Sequence, residues 1–120
     1  MKVRNLAGKS IIFSGGSEYL GTAMLEHLLD CGARVVNIGR RKPEEIHRYP
    51  QSSFHYSVDF YDRQTLRDTL DKSVQKLGTV DVLVNNSYDF SQKTGFNSLY
   101  GKIEDLTKEV FFAGLESGLY

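Results

Sequence analysis

Blocks of apolar and polar residues alternate along the chain in a way that favours strands and helices in turn. Short apolar runs with turn residues after them predict buried strands at residues 11–13, 35–38 and 80–84. Residues 54–58 alternate between apolar and polar enough to form a strand as well, which gives four strands in all. Helical patterns, and no hairpin signals, separate them, so the order predicts a parallel sheet with helices on both faces.

Helical spacing predicts the faces of two longer helices. The first is expected to use Leu20, Ala23, Met24, Leu28 and Cys31 and to end at Gly32. The second is expected to use Leu66, Leu70, Val74 and Leu77 and to end at Gly78. A short helical stretch opens at Pro43, a last helix begins near Thr107, and residues 87–101 form a long loop in this interpretation.

Composition narrows the class of protein. The chain has 120 residues, 40% hydrophobic and 25% charged, with a formal net charge of zero, which predicts a single domain over residues 1–120 and no nucleic-acid partner. No apolar run approaches the length of a membrane span, and the single cysteine, Cys31, fits a reducing compartment, so we expect a cytoplasmic protein. The three histidines have no metal-ligand spacing, and no metal site is predicted.

The candidate chemistry lies at Ser14-Gly15-Gly16-Ser17, between the first strand and the first helix. Glycines let a backbone approach a phosphate closely, and the N–H groups that open a helix point at an anion there. This pattern favours nucleotide binding. A tight turn that only connects strand to helix is about as common for one glycine cluster, so the turn alone leaves both interpretations open.

Three further segments fall in order after this turn. They are Gly32-Ala33-Arg34-Val35, Asp59 after the third strand, and Asn85-Asn86-Ser87-Tyr88 after the fourth. Together with the stretch from Ser14 to Gly21, they resemble the short-chain dehydrogenase/reductase family over about residues 7–120. The resemblance implies a Rossmann-like doubly wound parallel sheet, truncated to about four strands in the order 3-2-1-4, that binds a nicotinamide dinucleotide.

The same resemblance implies a set of cofactor-binding residues at the carboxyl ends of the strands. Gly15 is expected to relieve the turn and Gly21 to allow close packing of helix on strand, on either side of the pyrophosphate. The whole set is Ser14, Gly15, Ser17, Tyr19, Leu20, Gly21, Arg40, Arg41, Asp59, Phe60, Asn86 and Ser87.

Arg40 and Arg41 follow the second strand, where this family reads the adenosine ribose. An arginine pairs bidentately with a 2′-phosphate, whereas a carboxylate would accept hydrogen bonds from a 2′-hydroxyl. No carboxylate occurs before Glu44, which favours NADP(H) over NAD(H). The alternative is that both arginines are simply solvated.

The chain also departs from the family pattern. The middle glycine of the turn falls at Tyr19 in one variant of the motif and at Glu18 in the other, and Tyr88 replaces the glycine of the Asn-Asn stretch. The family's catalytic tyrosine is followed four residues later by a lysine that lowers its pKa, and no tyrosine of this chain has that partner. The family's helical asparagine falls at Gly118.

The resemblance therefore covers only the cofactor-binding half of the family. It implies an oxidoreductase that transfers hydride between NADP(H), or NAD(H), and a small carbonyl or alcohol substrate, with this chain alone inactive and no catalytic residue in it. A fourth strand without its usual neighbour predicts that the segment alone is marginally stable or self-associates. The resemblance implies a homo-oligomer for the full-length protein, because the last helix helps to form a subunit interface in relatives.

Two other functions remain open at this point. A non-catalytic dinucleotide-binding or scaffolding protein fits the changes at Tyr19, Tyr88 and Gly118. A flavodoxin-like or receiver-type domain fits the length, but a receiver domain needs an acidic pair after the first strand, where this chain has Ser14-Gly15-Gly16.

Overall fold

A computed structural model describes residues 5–17, 20–87 and 107–119. These fall into two units, Met1–Asn86 and Ser87–Tyr120, which are described separately. The elements of the first unit are β1 (Ser10–Ser14), α1 (Leu20–Asp30), β2 (Arg34–Gly39), α2 (Glu45–Arg48), β3 (Ser53–Ser57), α3 (Arg63–Leu77) and β4 (Val82–Asn85). The second unit holds α4 (Lys108–Leu119), whose first turn is capped by the Thr107 hydroxyl, which accepts the Val110 N–H at 3.2 Å.

The four strands form one parallel sheet in the order β3-β2-β1-β4. Ser14, the last residue of β1, pairs with Ile38 of β2 and Asn85 of β4, and Gly39 pairs with Ser57. All four carboxyl ends therefore meet at one edge of the sheet. The predicted fold class and strand order are confirmed: this is a Rossmann-like α/β sheet with helices on both faces.

Alternate strand residues face opposite layers of the sheet, and each layer has its own core. On one side Ile11, Phe13 and Val35 pack with Leu25 and Leu29 of α1. On the other side three sheet residues, Ile12, Val36 and Ile38, cluster with Val58 and with Leu77 of α3, and the half-buried Leu66 and Leu70 pack against them. Residues buried on both faces explain why the strands are continuous apolar runs.

The predicted buried face of α1 is wrong at Leu20, Ala23 and Met24, which are exposed, whereas Leu28 packs against the core and Cys31 is buried as expected. The helix buries Gly21, Leu25 and Leu29, while Leu20 is 75% exposed and Met24 39% exposed. Gly21 lies directly against the backbone of Gly15, and this contact fixes the rotation of the helix. The face then repeats every four residues from Gly21, about one position away from the stripe that hydrophobicity alone favours.

The predicted face of α3 is wrong at one residue. Val74 is 44% exposed, and the small polar residues Thr69 and Ser73 are buried in its place. Small side chains let the helix approach the sheet closely. The Ser73 hydroxyl donates to the Thr69 carbonyl at 2.8 Å, so that its burial leaves no donor without a partner.

β4 is held to β1 on one side only among the described strands. Its start is fixed by a reciprocal pair in which the Ser10 N–H donates to the Asp81 carboxylate and the Asp81 N–H to the Ser10 carbonyl, both at 2.8 Å. Along the open edge Val82 is 41% and Leu83 64% exposed. An exposed apolar edge strand is a template for pairing with another chain.

None of the helices in the described residues combines the length and the apolar character that crossing a bilayer requires.

We predict that the 120-residue chain self-associates through β4 and that Leu83→Lys shifts it toward monomer, because a lysine at an edge opposes strand pairing. Sedimentation velocity at several concentrations measures the shift. Val74→Lys, which alters another exposed apolar residue, on α3, serves as the control and should leave the association unchanged. A monodisperse wild-type monomer with a cooperative melt would contradict the prediction.

Candidate functional site

The glycine-rich turn (Ser14 to Ser17) leaves the sheet at the edge where the strands end. Gly15 has φ +81°, a conformation that L side chains rarely adopt, and its N–H donates to the Ile38 carbonyl at 3.3 Å. The next amide, that of Gly16, donates to the buried Asn37 side chain at 2.9 Å. Both bonds tie the turn to β2.

The turn and the start of α1 are in direct backbone contact. A Cβ on Gly21 would lie 2.0 Å from the Gly15 carbonyl oxygen, so only glycine fits there. The Asn86 side chain donates to that same oxygen at 3.2 Å, and the Asn86 N–H donates to the Ser14 hydroxyl at 3.0 Å. The segment after β4 is thereby tied to the turn after β1.

This arrangement determines which backbone donors an anion can reach. The N–H groups of Gly15 and Gly16 are used inside the protein. The first N–H groups of α1, from Leu20 onward, have no carbonyl acceptor inside the helix, because no helical residue lies four positions before them. The positive end of the α1 dipole, beside a turn with no Cβ at Gly15 or Gly16, suits a phosphate group.

Two exposed arginines stand at the end of the neighbouring strand. Arg40 and Arg41 directly follow Gly39, the last residue of β2. They bring two positive charges to the same edge of the sheet, where their guanidinium groups are open to a ligand.

Asp59 and Phe60 follow β3. Asp59 is exposed, and one of its carboxylate oxygens accepts the Tyr61 N–H at 3.0 Å, which shapes its own turn. Phe60 is half-buried and packs against the core on the α3 side of the sheet. The structure thus uses both residues to hold the β3–α3 connection at the carboxyl edge.

The remaining predicted residues divide into two groups. Ser17 and Ser87 are half-buried, and Ser87 is the first residue of the second unit. Tyr19, Glu18 and Tyr88 lie outside the described residues, as does most of the predicted loop over residues 87–101.

Sequence reasoning missed two polar residues that the structure places behind the turn. Asn37 is fully buried in the middle of β2, and its side-chain nitrogen lies 3.0 Å from Nδ1 of His55 on β3. A single polar residue inside an otherwise apolar strand was the available signal, because a buried amide needs partners.

His55 lies at the rim of a groove of about 400 Å³ along β3. Burial, and then the positive charge of Lys42, lower the pKa of His55 from its ordinary 6.5, while a smaller contribution from the Asn37 backbone opposes them. The folded protein therefore favours the neutral imidazole. The stability this contributes is complete above pH 6.5 and is lost as the pH falls through the lowered pKa.

Across the part of the chain that the structure describes, no three metal-ligating side chains come together.

We predict that Gly21→Ala destabilises the protein by about 3 kcal/mol and lowers its melting temperature by roughly 10 °C or more, because backbone atoms must move to admit the methyl group. Gly39→Ala is the matched control, since its Cβ would approach nothing closer than 3.9 Å. Thermal unfolding followed by circular dichroism compares the two. Equal melting temperatures would show that the Gly15–Gly21 contact is not a constraint.

A family model described as short chain dehydrogenase matches residues 9–104. Human 15-hydroxyprostaglandin dehydrogenase [NAD(+)] is 32% identical over 88 residues, covering 67% of this chain and 33% of that protein. Sorbitol-6-phosphate 2-dehydrogenase of Klebsiella pneumoniae is 31% identical over 83 residues, covering 69% of this chain and 31% of that protein. The chain spans about a third of the length of these relatives.

Solved structures give the same fold. A short-chain dehydrogenase from Streptomyces avermitilis superposes with a TM-score of 0.78 at 23% identity, covering 93% of this chain and 40% of that one. A short chain dehydrogenase from Leptospira borgpetersenii with bound NAD+ superposes with a TM-score of 0.74 at 20% identity, covering 95% and 41%.

Proposed function

Because this chain belongs to the short chain dehydrogenase family, we propose that it is the dinucleotide-binding part of an oxidoreductase acting between a carbonyl and an alcohol. The observation that carries the proposal is the contact between the Gly15 carbonyl and Gly21, which sets a helix start beside a turn whose two central residues, Gly15 and Gly16, have no side chain. Parallel α/β sheets bind ligands beyond the carboxyl ends of their strands, and this contact lies there.

The residues of the chain bind and orient the cofactor in this proposal. The first N–H groups of α1 hold the diphosphate, and Asn86 fixes the Gly15 carbonyl so that the turn keeps its shape. Asp59 and Phe60 border the adenine, and the exposed Leu20 borders the nicotinamide end. The bound nicotinamide ring supplies or accepts the hydride.

For cofactor choice we favour NADP(H) over NAD(H). Arg40 and Arg41 are exposed at the end of β2, where a guanidinium can pair with a 2′-phosphate. Glu45 is buried on α2 and Arg48 donates to it at 3.3 Å, so this carboxylate is already engaged by a cation of its own.

The proton transfers of the reaction are assigned to residues outside this sequence. No tyrosine here is followed four residues later by a lysine, and that pair is what lets a phenol exchange a proton with substrate near neutral pH.

We also place the full-length protein in the cytoplasm as a homo-oligomer, with the exposed edge of β4 covered.

We predict that Arg40→Asp weakens NADPH binding by roughly tenfold to a hundredfold and leaves NADH binding unchanged or tighter, since the substitution replaces a bidentate donor with a repelling charge. Fluorescence titration of both nucleotides gives the two dissociation constants. Arg67→Asp makes the same charge change on an exposed position of α3 and is expected to alter neither. Equal affinity of the wild type for NADPH and NADH would refute the NADP(H) preference.

We predict further that the coding sequence after Tyr120 supplies a serine followed by Tyr-x-x-x-Lys, and that the protein containing it oxidises NADPH with a small carbonyl substrate. Sequencing and a steady-state assay at 340 nm test this. A stop codon at that point, with nucleotide binding intact, would instead support the non-catalytic dinucleotide-binding function.

A further inference from the structure

We propose that Asn37 and His55 are positioning residues for the dinucleotide: they hold the glycine-rich turn in its binding shape while His55 is neutral, and protonation of His55 releases it. This inference rests on the proposed function, because it concerns the turn to which the dinucleotide is assigned. It adds a proton-dependent control of affinity by two residues behind the site.

The hydrogen-bond directions follow from the chemistry of the partners. The Gly16 backbone N–H can only donate, so the Asn37 atom that faces it at 2.9 Å is the oxygen. The Asn37 side-chain nitrogen, which can only donate, then faces Nδ1 of His55 at 3.0 Å. Nδ1 must therefore accept, which leaves the proton of the neutral ring on Nε2, where it reaches the Ser57 hydroxyl at 3.0 Å.

A protonated His55 is incompatible with this chain of bonds. The imidazolium carries N–H groups on both nitrogens, so Nδ1–H and the Asn37 NH2 would face each other as two donors. The amide satisfies the ring only by turning its oxygen toward His55, and its nitrogen then faces the Gly16 N–H. In that arrangement the bond from Gly16 to Asn37 is lost, and only the Gly15 N–H, which donates to the Ile38 carbonyl, still ties the turn to β2.

Steric fit restricts Gly16 and the Asn37 amide to one relative geometry. A Cβ on Gly16 would lie 2.5 Å from the Asn37 oxygen and 2.8 Å from a Leu25 methyl group, so glycine is required where the amide reaches the turn. Asn37 is fully buried, so no water can replace it without a rearrangement. A displaced Gly16 also disturbs the adjacent Gly15, whose carbonyl lies against Gly21.

The positive charge of Lys42 opposes protonation of His55. Lys42 precedes α2, His47 lies on α2, and Lys76 lies on α3; all three line the same groove, and no carboxylate is among its lining residues in the described structure. Lys76 also sits over the Phe54 ring, 4.5 Å from its centroid. The transition therefore belongs below pH 6.5, in agreement with the lowered pKa of His55.

The test measures NADP+ affinity of the intact protein by calorimetry between pH 5.5 and pH 8, in the wild type and in His55→Asn. The asparagine oxygen replaces Nδ1 as acceptor and does not titrate. We expect equal affinities of the two proteins at pH 8, and at pH 5.5 a wild type about three- to tenfold weaker than His55→Asn, the loss of one hydrogen bond. Comparing the two proteins removes the titration of the 2′-phosphate itself, which both share.

Two variants sharpen the result. His47→Asn removes an exposed histidine of the same groove and should keep the wild-type pH dependence. Asn37→Asp should abolish it, because a carboxylate accepts from Gly16 and from a protonated His55 together. Identical pH dependence in the wild type and His55→Asn would overturn the proposal.

A second readout separates this proposal from the proposed function. In NMR spectra without nucleotide, the Gly16 amide shift should titrate with His55 in the wild type and not in His55→Asn. If no dinucleotide binds at pH 8, the proposed function fails, and the Gly16 titration still decides whether His55 controls the turn. A Gly16 amide indifferent to His55 protonation would overturn the inference even where NADP+ binds.

Discussion

The approach of Gly21 to the Gly15 carbonyl is the constraint from which the rest of the site follows. With a Cβ excluded at 2.0 Å, α1 must start directly beside the turn, and its rotation about its axis is set by this contact. Leu25 and Leu29 are buried as a consequence, while Leu20 and Met24 are left in solvent. The same carbonyl accepts the Asn86 side chain, so one oxygen aligns the ends of β1 and β4 with the helix.

The architecture could be predicted from the sequence because the sheet is buried on both faces. Apolar runs locate such strands directly, and the order β3-β2-β1-β4 follows from the family resemblance. Helix faces were harder to predict. In α1 and α3 the buried stripe runs through Gly21, Thr69 and Ser73, residues that a count of hydrophobic positions ignores and that close packing selects.

The site was predictable only where a motif fixes a residue. The glycines and Asn86 belong to a recognisable pattern, and the structure brings Ser14, Gly15, Gly21 and Asn86 into mutual contact. Asn37 and His55 are 18 residues apart and belong to no motif. Their contact depends on strand register, in which Asn37 pairs with His55. Register cannot be predicted from one strand without knowing how its partner strand aligns with it.

The reciprocal pair between Ser10 and Asp81 has a consequence for biosynthesis. Because 71 residues separate the partners, β1 leaves the ribosome well before the strand that covers one of its sides has been made. At translation speeds of about 5–20 residues per second, this central strand waits several seconds with the backbone N–H and C=O groups of one edge unpaired by β4. The sheet of the nascent chain is therefore incomplete at β1 until the last of its four strands has been made.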